Sequence, residues 1–157
     1  MIAVQSTIVS THYLEVTSPA FQQYGFIPQQ YTCDGHNEAP ELIVNRTPVT
    51  AKSLAVIVDD PDAPVGAWVH WIAWNIPPNS IIKGNKLKGR QGINDFGMHK
   101  YCGPCPPKGI HHYHFKVYAL DKFLVDLSLD CTKYQLEKAM SRHIVAFGEL
   151  VGLYKRI

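Results

Sequence analysis

Three short stretches of the chain carry the residue types that can do chemistry. Asp60-Pro-Asp-Ala-Pro64 is a turn in which Pro61 and Pro64 fix φ and remove two backbone donors. A turn this stiff at a strand end can hold the Asp60 carboxylate over a cavity, although Asp-Pro turns are also common structural punctuation. One of its X-Pro bonds can be cis, because the penalty there is only about 0.5–1 kcal/mol. Trp68 and His70 lie two positions apart, so in a strand they project to one face. Gly103-Pro-Cys-Pro-Pro-Lys-Gly109 is stiffened by three prolines and runs into His111-His-Tyr113. If the strand begins at His111, the imidazole of His111 and the phenol of Tyr113 share a face as well.

Other constellations are weaker. Cys102-Gly-Pro-Cys105 spells a redox Cys-x-x-Cys, which would make the chain a thiol-disulfide oxidoreductase. That chemistry needs the first thiol at a helix N-terminus, where the dipole lowers its pKa. Pro106-Pro107-Lys108-Gly109 cannot open a helix, and no apolar strand leads into the motif. Cys102, Cys105, His111, His112 and His114 cluster in sequence, but their spacing matches no zinc-finger pattern and His111 and His112 point to opposite faces. No metal and no cofactor is expected. Cys33 and Cys131 have no local partners and are expected to be buried thiols in a reducing cytoplasm. A small hydrolase using His70 or His111 as general base lacks a serine at a nucleophile elbow.

These residues need a frame. Ser53-Leu-Ala-Val-Ile-Val58 is an apolar, β-branched run that suits a strand buried on both faces. Trp68–Ile76 reads as the next strand, with Trp68, His70, Ile72 and Trp74 on one side and Val69, Trp71 and Ala73 on the other. Tyr113–Leu120 is a third, with Tyr113, Phe115, Val117 and Ala119 on one face. From Thr132, a plausible N-cap, Leu136, Met140, Ile144, Phe147 and Val151 recur at near-helical spacing. The spacing predicts a C-terminal helix, or two short ones broken at Gly148. Residues 79–112 hold six glycines and few apolar runs, a long irregular connection of the kind that usually carries function.

The chain has 157 residues, 46% of them hydrophobic and 18% charged. That is one domain over 1–157, able to bury about 68–70% of its unfolded surface without staples. Lys+Arg number 15 against 13 Asp+Glu, too little basic excess for a general nucleic-acid binder. No stretch approaches the ~18 apolar residues of a spanning helix. Met1–Ser10 lacks the basic and apolar regions of a secretory leader, so a cytoplasmic location is expected. Without secretion, the sequon Asn45-Arg-Thr47 is read as chance.

Together the motifs resemble the phosphatidylethanolamine-binding protein family, which includes the Raf kinase inhibitor proteins and prokaryotic relatives. Asp60-Pro-Asp-Ala-Pro64 looks like its first signature, Gly66-Ala-Trp-Val-His-Trp71 with Asn75-Ile-Pro77 like the prokaryotic form of the following strand, and Gly103–Tyr113 like its second signature. Phe26-Ile-Pro28, Tyr31-Thr-Cys-Asp-Gly35 and Leu136–Met140 extend the likeness over nearly the whole chain. The resemblance implies a mainly β (α+β) fold, a large antiparallel sheet packed with a smaller one plus terminal helices. It also implies a pocket for phosphate or a phospholipid head group, lined by Asp60, Trp68, His70, His111 and Tyr113. A kinase or protease partner and a homodimer are compatible with it. The family usually has His-Arg-Tyr where this chain has His111-His112-Tyr113, so any ion pair of that arginine is in question. Imidazoles and a phenol donate to phosphate oxygens. Asp60 would repel a dianion unless it orients a histidine, pairs with a head-group amine or accepts a proton from the phosphate.

Overall fold

A computed structural model describes residues 12–79 and 81–156; Met1–Ser10, read above as lacking a leader, lies outside the described residues. In chain order the elements are β1 (His12–Tyr13), β2 (Glu15–Thr17), β3 (Ile43–Asn45), β4 (Ser53–Asp60), β5 (Trp68–Ile76), β6 (Arg90–Gln91), β7 (His111–Leu120), α1 (Lys133–Met140) and β8 (Ile144–Tyr154). Six strands form one sheet in the order β1-β8-β7-β4-β5-β6, while β2 and β3 form a second. Each pairing in the large sheet is antiparallel except β1 with β8, which is parallel, so the sheet is mixed and not purely antiparallel.

The central strand β4 has no polar face until its last two residues, so it is stable only between two covered layers. All eight of its residues are buried. Leu54, Val56 and Val58 join Phe115, Val117 and residues of the smaller sheet on one side. Ala55 and Ile57 meet Leu136 and Met140 of α1 on the other. Period-two alternation then sends Asp60 to the first side and Asp59 to the second. Asp59 is clamped there by Lys116 Nζ at 3.0 Å and Lys133 Nζ at 2.7 Å, which ties the helix to the sheet.

The expected faces of β5 hold only as far as His70. Val58 pairs with Trp71 but Asp59 pairs with Val69, leaving His70 as an extra residue. Such a bulge puts two neighbours on the same side. His70 and Trp71 therefore share the face of Tyr113, and Ile72 and Trp74 swing to the helix side, in the other apolar cluster. A second register shift, between Leu54 and Val56, falls opposite Asn75, whose φ is +56°.

The expected C-terminal helix is cut short. Thr132 does cap α1, in a reciprocal box with Gln135, but the helix ends at Met140. Ile144–Tyr154 is instead the longest strand, paired with β7 from Leu120 back to His111. Near-helical spacing of apolar residues misleads here because the buried face of β8 is made largely of Ala146, Gly148 and Gly152, while Ile144 and Phe147 lie on its more exposed face. Gly148 marks it as sheet: a Cβ there would strike the Leu14 carbonyl oxygen, a close backbone approach typical of strand glycines. The connection 79–112 is also less irregular than expected, since it contains β6 and a short 3-10 turn at Gly84–Lys86.

Cys33 is not a free thiol. It forms a disulfide with Cys105 across a sequence separation of 72, while Cys102 and Cys131 remain free and buried. No helix among the described residues is long and apolar enough to cross a membrane.

Candidate functional site

The ends of β4, β5 and β7 converge on one cavity of about 350 Å³. That is at the small end of the usual range for ligand sites, suited to a small molecule or a head group. Asp60, Trp68, His70, His111 and Tyr113 all line it. β7 does begin at His111, so His111 and Tyr113 share a face, and their rings lie 6.5 Å apart. The His70 ring meets the Tyr113 ring edge-on at 5.3 Å.

Asp60, His70 and His111 are each fixed by a defined partner. His70 Nδ1 donates to the Cys102 carbonyl at 2.6 Å, because a carbonyl can only accept. That leaves Nε2 as the acceptor of the neutral ring. Burial holds the His70 pKa below its ordinary 6.5, outweighing the opposing pull of the Cys102 carbonyl and the Asp60 charge. His111 Nδ1 donates to Asp60 Oδ2 at 2.7 Å, and Asp60 Oδ1 accepts the Asp62 amide at 2.8 Å. Both oxygens of Asp60 are thus engaged, so of its three conceivable roles the geometry displays the orientation of a histidine. The Tyr113 hydroxyl is buried without a hydrogen-bond partner. Burial, and then the Asp60 charge, push its pKa up, so it stays a neutral donor.

Around this polar floor the walls are apolar. Trp68, Phe96, Pro64, Val65 and Pro106 line the cavity, with Phe96 edge-on to Trp68 at 5.7 Å and near His70 at 5.2 Å. Phe96 is a site residue that the sequence reading missed. Its signal was Asn94-Asp-Phe-Gly97, turn residues around an exposed aromatic. Asn94 pins that turn to β5: its side-chain amide donates to the His70 and Lys100 carbonyls, and its oxygen accepts the Phe96 and Met98 amides. Cys105 and Pro107 were also missed as lining residues. The motif Cys102-Gly-Pro-Cys105 is not a bonded pair, since Cys105 is bonded to Cys33. The Asp60–Pro64 turn contains no cis bond.

His112 faces away from the cavity, as its alternation with His111 requires. Its ring Nδ1 and its backbone amide both meet Asp62 Oδ2, at 2.7 and 2.8 Å. Burial raises the Asp62 pKa, but these bonds outweigh it and hold the carboxyl below its ordinary value. His112 thus ties β7 to the Asp60–Pro64 turn. Among the described residues no cluster of three or more His, Cys, Asp or Glu side chains could hold a metal ion.

Two sheets, one covering helix and a small cavity at the strand ends define a β-rich fold built around a ligand pocket. The chain belongs to the phosphatidylethanolamine-binding protein family, whose sequence model matches residues 17–155. It is 52% identical over 150 residues to a UPF0098 protein of Pyrococcus abyssi, covering 88% of this chain and 84% of that one. A UPF0098 protein of Methanothermobacter thermautotrophicus is 44% identical over 151 residues, 91% and 99% of the two chains. Among solved structures, a putative phosphatidylethanolamine-binding protein homolog from Chlamydia trachomatis superposes with a TM-score of 0.88 at 40% identity, covering 94% of this chain and all of that one. YbcL of E. coli, described as a new member of the mammalian family, gives 0.83 at 30% identity over 92% and 99% of the chains. The chain is a ligand-binding protein of this family's type.

Proposed function

We propose that the pocket binds the phosphoryl group of a small phosphate ester or a phospholipid head group, without catalysing its turnover. The observation that carries this is the convergence on one cavity of two imidazoles, each oriented through its Nδ1, and the Tyr113 phenol. Among the described residues no lysine or arginine lines the cavity, so positive charge would come from histidine protonation or from an amine on the ligand. A binder is favoured over an enzyme by what surrounds the ligand. The Asp60 oxygens are both occupied, the Cys105 sulfur is bonded, and among the described residues no serine or threonine lines the cavity. Regulation of a cytoplasmic kinase or protease, which the family resemblance implies, would act through occupancy of this pocket.

Binding an anion here should take up protons, so affinity should rise as pH falls. A phosphomonoester has a second pKa near ~6 and the ordinary imidazole titrates near ~6.5. Because burial lowers the His70 value, most of the gain should fall below pH 6.5. Titration calorimetry with phenyl phosphate at pH 8, 7, 6 and 5.5 is expected to show a several-fold rise in affinity with net proton uptake. A His70→Gln, His111→Gln double variant should flatten it. Affinity that is constant or falls toward acid, or no binding at all, would sink the assignment.

A further inference from the structure

We propose that the Cys33–Cys105 disulfide positions the wall of the ligand pocket, so that ligand binding and the redox state of this bond are thermodynamically linked. The inference rests on the pocket being the ligand site, as proposed above.

Residues 102–107 serve the cavity twice. The Cys102 carbonyl fixes the His70 tautomer, and Cys105, Pro106 and Pro107 form part of the wall. This segment has neither helix nor strand to hold it. Besides the disulfide, its ties are the Cys102 amide to the His70 carbonyl at 3.1 Å, the Gly103 amide to Asn37 Oδ1 at 2.7 Å and the Cys33 amide to the Pro104 carbonyl at 3.1 Å. Gly103 lies so close to the facing segment that a Cβ would strike the Tyr31 carbonyl oxygen. The facing segment is itself anchored, through Asp34, to the Tyr154 hydroxyl at 2.6 Å and to Arg156 at 2.9 Å. The disulfide is therefore the covalent link between the pocket wall and a segment that is hydrogen-bonded to the end of β8.

Both cysteines are half-buried, so a dithiol reductant can reach the bond. Its thiolate attacks one sulfur, the S–S bond breaks, and a mixed disulfide forms. The reductant's second thiol then displaces the protein sulfur. The products are two cysteine thiols and the oxidised, cyclic reductant; two electrons and two protons pass to the protein. The reduced wall keeps its hydrogen bonds and its packing but loses the covalent restraint, so it samples more conformations, which ligand binding must then restrict. Affinity falls on reduction. Linkage is reciprocal, so bound ligand must make the disulfide harder to reduce by the same factor.

The test uses phenyl phosphate as probe with oxidised wild type, wild type held in dithiothreitol, and the Cys33→Ser, Cys105→Ser variant. Near-ultraviolet circular dichroism at the working temperature confirms that each is folded. Reduced wild type and the double variant are expected to bind roughly five- to tenfold more weakly than the oxidised protein, and the variant should not respond to reductant. Saturating probe should lower the reduction potential of the disulfide by about 30 mV for each tenfold of coupling. Equal affinity in oxidised and reduced protein, or a potential indifferent to the probe, would overturn the linkage while leaving the pocket assignment intact. An oxidised protein that does not bind the probe would overturn the pocket assignment and the linkage with it.

Discussion

His70 shows how one side chain can serve both the site and the fold. It is buried, its Nδ1 proton is committed to the Cys102 carbonyl, and burial depresses its pKa. Below pH 6.5 the unfolded chain takes up a proton that the folded one refuses. The stability owed to neutral His70 is therefore full above about pH 6.5 and is lost as pH falls toward the folded value. His70→Gln should remove that dependence: between pH 7 and pH 5 the wild-type Tm should fall more steeply than the variant's. The same variant should bind phenyl phosphate about tenfold or more weakly at pH 6, by loss of a charge-assisted bond. Parallel Tm curves would mean that the buried imidazole is not refusing a proton. At this scale the sequence was highly legible. Stiff turns and paired projections singled out Asp60, the pair Trp68 and His70 and the pair His111 and Tyr113, and the family resemblance grouped all five in one pocket, whereas the orienting role of Asp60 needed coordinates. Phe96 escaped because its turn folds back on β5 through bonds of Asn94 and Asp95 to the His70 and Val69 backbone, which no local pattern displays.

Among the elements, β4 and β7 were readable because a continuous or alternating apolar run has few other solutions. β5 was readable as a strand but not in its faces, since the inserted His70 reverses the alternation. The consequence is separable function along one strand: Trp68 and His70 serve the cavity, while Trp74 lies wholly buried on the helix side with Leu136 and Met140. Trp74→Ala should cost about 3–5 kcal/mol in urea unfolding and leave probe affinity within twofold in the folded protein. A loss below about 1 kcal/mol, or a pocket that no longer binds, would contradict the bulge. β8 was misread as helix because its buried positions include Ala146, Gly148 and Gly152, which give no apolar alternation to read, leaving spacings of three and four to be noticed by accident.

For the molecule as a whole, the disulfide is the feature least visible in sequence, because the two cysteines are brought together only by the completed fold. Cys105 also sits in a motif that draws attention to the wrong partner, Cys102. Closing a loop across a separation of 72 residues should restrict the unfolded chain by about 4 kcal/mol. Oxidised and reduced protein, compared by urea unfolding, should differ by roughly 2–5 kcal/mol. A difference under about 1 kcal/mol would mean that the reduced chain is already as constrained when unfolded. This measurement concerns stability alone and is independent of whether the pocket responds to reduction.

The strand order has a consequence for how the molecule is made. β8 lies between β1 and β7, so residues 144–154 are inserted between elements that leave the ribosome long before them. Until Tyr154 is synthesised, β7 presents an open edge along its length, and β1 has no neighbour in the large sheet. An uncovered edge of this kind is a template for pairing with other chains, and contacts this distant in sequence form slowly. Until β8 docks, the β4–β5–β7 core is therefore unfinished, and a chain lacking residues 144–154 would hold a sheet with one side exposed.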